Sequence, residues 1–141
     1  MSTRRDLLSV LFPLTRDLRR IEDEAAAADQ LTMWQYAVLM VIEDAPTNQA
    51  SLAGRLRYSK NRLVHDIDHL ERLGLVTREV LPADRRSNLV TITARGRSTR
   101  RRIQRRIHQG EDELLRHVPA SSRQEFSRLA AEIADELRHR P

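Results

Sequence analysis

The chain has 141 residues, a length that suits one domain with a modest core of its own. It contains no cysteine, which excludes disulfides, a thiol switch and any cysteine-ligated metal. No run of about 18 apolar residues is present to span a membrane, and the N-terminus lacks the apolar stretch of a signal peptide, so a cytoplasmic location is expected.

Charge is informative through its distribution. From Arg55 to Arg106 there are 15 basic and 5 acidic residues, whereas the remainder of the chain holds 10 basic and 15 acidic. A basic middle between acidic ends is the electrostatic footprint of a polyanionic partner.

Taken in chain order, Leu7, Leu11, Leu14, Leu18 and Ile21 recur at helical spacing and predict a first helix with one buried stripe. Pro13 is expected to interrupt or kink it. Thr32 and Gln35 have the spacing of a capping box, opening a largely apolar helix over 33–44 that Pro46 ends. A short helix is expected over 49–56. Ser59 is then a good N-cap for a helix from Lys60 to Leu73, with Leu63, Ile67 and Leu70 inward and Gly74 as its stop. Beyond Gly74 the period shifts toward two, and 75–81 and 89–93 read as two strands. The segment between them, 82–88, has turn chemistry, with Arg85 and Arg86 at its tip. Thr93 caps a long helix expected over 94–117, closed by Pro119. Ser122 and Glu125 form a second capping box, opening a last helix that carries Phe126, Leu129, Ile133 and Leu137.

The fold class is therefore mainly α: a winged helix-turn-helix with a two-stranded β wing. The helix after Ser59 is the one that enters a major groove, so Ser59, Lys60, Asn61, Arg62 and His65 are the expected base-edge and phosphate contacts. Arg or Lys pairs with guanine and Asn with adenine, and the free N–H groups at the helix start suit a phosphate. His69 and Arg72 continue the polar stripe, while Asp66 and Asp68 place acid near the same face. At the wing tip, Arg85 and Arg86 are free to enter a minor groove, and Asp84 can hold a guanidinium extended. An ordinary solvated helix face and exposed turn are the plainer alternatives, and the order of the elements disfavours them.

These stretches resemble one family. Ser59-Lys60-Asn61-Arg62-Leu63-Val64, Leu70-Glu71-Arg72-Leu73-Gly74-Leu75-Val76, Asp84-Arg85-Arg86 and Thr91-Ile92-Thr93-Ala94-Arg95-Gly96 together are similar to the MarR family of regulators. The resemblance implies six helices and a wing, with a dimer built from the first and last helices. The two terminal apolar stripes support that dimer independently, since a chain of this size has too little core to cover both. The expected organisation is a single domain over 1–141, with a DNA-binding lobe at 31–96 and dimerisation helices at 1–30 and 97–141.

The expected function is that of a sequence-specific transcriptional regulator, a repressor that binds a near-palindromic operator on double-stranded DNA as a homodimer. The resemblance further implies release by a small aromatic or carboxylate effector, for which Phe12, Arg16, Trp34 and Tyr36 are the candidate lining, with Arg19 as a second anion partner. The alternative reading is an architectural DNA-binding protein of low sequence preference. The arginines from Arg95 to Arg106 read either as phosphate attractors or, at the distal end, as a connector pairing with acids of a second subunit. His65 and His69 have a ligand spacing but no third ligand, so no metal or cofactor is expected. No nucleophile motif or phosphate loop indicates an enzyme.

Overall fold

A computed structural model of the chain describes residues 3–80 and 88–140. The expected wing-tip residues Asp84, Arg85 and Arg86 lie outside the described residues. Two compact units divide the chain, Met1–Ile107 and His108–Pro141.

The first unit begins with α1, Leu7–Ala27, which runs on through Pro13 without interruption. Its two ends differ. Ile21, Ala25 and Ala26 are buried, whereas Leu7, Leu8 and Phe12 are exposed, so only the C-terminal end of the predicted stripe joins this unit's core. α2, Met33–Ile42, opens on the predicted capping box. The Thr32 hydroxyl accepts from the Gln35 N–H at 3.2 Å, and the Gln35 side-chain oxygen accepts from the Thr32 N–H at 3.0 Å. A two-residue strand, β1, Thr47–Asn48, precedes α3, Gln49–Leu56, which is capped by the Asn48 side chain. The strand is too short to show a period in sequence.

A helix-turn-helix is completed by α4, Lys60–Arg72. The turn before it is made by Arg57 in the left-handed conformation (φ 50°, ψ 48°), with the Tyr58 N–H returning to the Ala53 carbonyl at 3.0 Å. Ser59 occupies the predicted N-cap position, but its side chain makes no capping bond. Only its backbone carbonyl engages the helix, accepting from the Leu63 N–H. Gly74, at φ +74°, ends α4 as expected.

β2, Val76–Val80, and β3, Asn88–Ile92, pair antiparallel in register Val76↔Ile92 to Val80↔Asn88, and β1 adds to the other edge of β3. The core lies where α2, α4 and the sheet meet. Leu39, Ile42, Leu52, Leu63, Ile67, Leu70, Val76 and Val90 are fully buried there, with Ile103 from α5, Ala94–Leu114. Full burial of each such side chain is worth about 1.5–3 kcal/mol before entropy is counted. Thr93 caps α5 as expected, its hydroxyl accepting from the Gly96 N–H at 3.0 Å and donating to the Gly74 carbonyl at 2.7 Å.

The second unit holds the end of α5 and α6, Ala120–Arg138. Pro119 serves as the N-cap of α6 and does not close α5, which already ends at Leu114. The predicted Ser122–Glu125 box is not formed, and Glu125 instead pairs with Arg128. α6 has no buried residue, so Phe126, Leu129, Ile133 and Leu137 present an uncovered apolar stripe.

Candidate nucleic-acid interface

α4 has one committed face and one open face. Leu63, Ile67 and Leu70 anchor it in the core, which turns Asn61 and His65 outward by helical geometry. Ser59, Lys60, Asn61, Arg62, His65 and Arg72 are all exposed. The structure therefore brings the five predicted α4 contacts together at the helix start.

Other polar residues of α4 have partners outside the helix. Asp66 accepts from the Gln35 side chain at 3.0 Å, and Asp68 pairs with Arg78 of β2, which Glu71 also holds at 3.2 Å. The acid expected near that face is present, and both carboxylates have partners within the lobe. Burial alone would lower the Arg78 pKa, but Glu71 and Asp68 outweigh it and the net shift is upward. That arginine ties the wing strand to α4. His69 has such a partner as well, its Nε2 lying 2.8 Å from the Gln30 carbonyl oxygen. No group of three potential ligands exists among the described residues.

Arg62 is not free to wander. Its guanidinium lies over the Tyr58 ring, 5.7 Å from the centroid, and Tyr58 stacks on Trp34 at 5.0 Å with 21° between the planes. Burial raises the Tyr58 pKa, and the Asp66 carboxylate beside it adds to the rise. Sequence reasoning missed Tyr58. The available signal was an aromatic four residues before an arginine at a helix start.

The arginines of α5 separate into two sets. Arg97 donates to the Glu43 carbonyl at 2.8 Å and Arg100 pairs with the Glu43 carboxylate at 2.5 Å. Arg102 grips Asp29 through two nitrogens, Nε at 3.2 Å and Nη2 at 2.6 Å, and Arg106 reaches the same carboxylate at 2.5 Å. The Arg102 bond, helped by Arg106, holds the Asp29 carboxyl below its ordinary range despite its burial. Of the distal arginines, Arg102 and Arg106 therefore find an acid within their own chain. Asp29 sits in a turn between helices, where no periodicity marks it. Arg95, Arg101 and Arg105 remain exposed.

The four candidate effector residues do not converge. Phe12 and Arg16 line a shallow groove on α1 with Thr15, Arg19, Arg20 and Asp23. Trp34 is engaged by Tyr58, and Tyr36 is buried in the core. Desolvation raises the Tyr36 pKa, and Arg100 works against it. Packing of α2 removes both aromatics from the groove.

A family model of the MarR family matches residues 29–87. A crystal structure of MarR has a TM-score of 0.85 at 25% identity, covering 97% of this chain and 94% of that one. The transcriptional repressor CouR, bound to a 23-mer DNA duplex, has a TM-score of 0.77 at 28% identity, covering 94% and 99%. A MarR family protein of Mycobacterium tuberculosis in complex with salicylic acid has a TM-score of 0.74 at 23% identity, covering 94% and 99%. The matched segment and the winged-helix fold make the chain similar to MarR family transcriptional regulators.

Proposed function

We propose that the chain is a homodimeric repressor that reads a near-palindromic operator through α4 and the wing, and that a small aromatic carboxylate releases it. The observation that carries this reading is the start of α4. Ser59, Lys60, Asn61, Arg62 and His65 stand exposed on a helix whose opposite face is locked into the core. Arg62 and Lys60 offer donors for guanine, and the Asn61 amide can donate to adenine N7 while its oxygen accepts from the N6 amino group. At the wing tip, Asp84, Arg85 and Arg86 are assigned the minor groove from sequence. The bare apolar residues of α1 and α6 support a partner subunit, because stripes of this size are seldom left in water. On this reading 31–96 is the DNA-binding lobe of a single domain, and 1–30 and 97–141 serve dimerisation in the cytoplasm.

The α1 groove supports an anionic aromatic effector, since Phe12 offers a ring beside Arg16 and Arg19. A relative holding salicylic acid makes that ligand the first to try.

Exposed Arg95, Arg101 and Arg105 favour the second reading, an architectural protein that coats duplex DNA. Selection of bound sites from random DNA, followed by competition at physiological salt, separates the two. A repressor holds its selected site at least ~10³ tighter than bulk DNA. Equal affinity for both would establish the architectural reading. Sedimentation at micromolar concentration tests the dimer, and a monomer there would exclude it.

A further inference from the structure

Arg62 rests on a platform whose parts are each fixed from a different direction. Its guanidinium covers one ring, Tyr58, and that ring stacks on Trp34 from α2. The Tyr58 backbone is pinned by the N–H bond to Ala53. Beside the Tyr58 phenol stands Asp66, itself held by Gln35, the residue that also closes the α2 capping box. The aromatic column thus runs from α2 through the turn to the exposed start of α4.

A guanidinium over a ring keeps its in-plane N–H groups free while one face is covered. Bidentate reading of guanine O6 and N7 needs such a plane held in register with the base edge, whereas a phosphate contact does not. We propose that Tyr58 is a specificity-determining positioning residue. Its ring sets the plane of the Arg62 guanidinium, and Trp34 holds the ring. This inference rests on the assignment of Arg62 to base reading made under the proposed function.

The test is bound-site selection with the full chain and its variants, followed by affinities on single-base substitutions of the selected duplex. Wild type should show a guanine preference that Arg62→Ala relaxes. Tyr58→Leu should relax the same position by about two- to fivefold, the worth of an exposed cation–π contact, with no change in the salt slope. Tyr58→Phe keeps the ring and should keep the preference. Trp34→Leu frees one side of the ring and should relax that position more weakly, which serves if Tyr58→Leu does not fold. Retained guanine preference in both leucine variants overturns the inference. Equal weakening across all sequences, or loss of preference in Tyr58→Phe, overturns it too, as does an Arg62→Ala protein with unaltered base preferences. If wild type itself selects no site, the regulator reading fails first and this inference falls with it.

Discussion

Replacing Gly96 by alanine should destabilise the junction between the sheet and α5 far more than a single methyl would ordinarily do. A Cβ at Gly96 would lie 2.1 Å from the Leu75 carbonyl oxygen and 2.8 Å from Cγ1 of Ile92. A comfortable carbon–oxygen contact is roughly 3.3 Å, so about 1.2 Å of relief is needed. Leu75 cannot supply it cheaply. Its N–H bonds the Leu70 carbonyl at 2.9 Å, and its own carbonyl accepts from Thr93 at 3.0 Å. Leu75 and Ile92 are both buried, so the strain passes into the core. Overpacking costs about 1–3 kcal/mol, and a clash with pinned backbone belongs at the upper end. At about 3 kcal/mol the Tm should fall by roughly 10 °C for a chain of this size. The assay is thermal unfolding followed by circular dichroism at one fixed protein concentration, because self-association would make Tm depend on it. Gly54→Ala is the matched control. Nothing lies within 4 Å of its added Cβ inside α3, and helix propensity there favours alanine by about 1 kcal/mol. A Gly96→Ala protein melting within 2 °C of wild type, on the order of the experimental spread, would refute the reasoning.

Arg57→Gly should stabilise the chain by about 0.5–1 kcal/mol, since a non-glycine residue at φ 50° carries a left-handed penalty that glycine lacks. A lowered Tm would contradict this. Asp29→Asn should cost about 2 kcal/mol through loss of charge-assisted bonds to Arg102 and Arg106. Because the folded pKa of Asp29 lies below the ordinary 3.8, its contribution is present above about pH 4 and fades as pH falls through the folded value. Urea unfolding of wild type and Asp29→Asn should therefore converge in midpoint below pH 4, and a constant gap would be evidence against the clamp. Arg86→Ala should weaken DNA binding by ~1–3 kcal/mol with the melting curve unchanged, and unchanged affinity would count against the wing assignment.

Elements held by a strong local rule were legible in sequence. The capping box at Thr32, the helix over 49–56, the inward stripe of Leu63, Ile67 and Leu70, and the Thr93 cap all appear as expected. Each is fixed by neighbours within one or two turns. Ser59 shows the limit, because its residue type suits a cap while the left-handed Arg57 and the backbone bonds already shape the turn. β1 was invisible, since its two residues become a strand only by pairing with β3, more than forty positions on in the chain. The exposed contacts at the start of α4 followed from helical phase. What holds them did not: Tyr58, Trp34 and Gln35 reach α4 through tertiary packing, and the acids Asp66 and Asp68 look solvent-facing until Gln35 and Arg78 are placed beside them.

The junction at Asp29 has an asymmetric tolerance to error. Arg102 and Arg106 stand four residues apart on α5 and converge on a single carboxylate. Losing either arginine still leaves a bonded ion pair, so each is a spare for the other. Losing the carboxylate leaves two cations stacked one turn apart on the same helix, where like charges repel. Sequence drift should therefore be cheap at either arginine alone, and costly at the one acid they share.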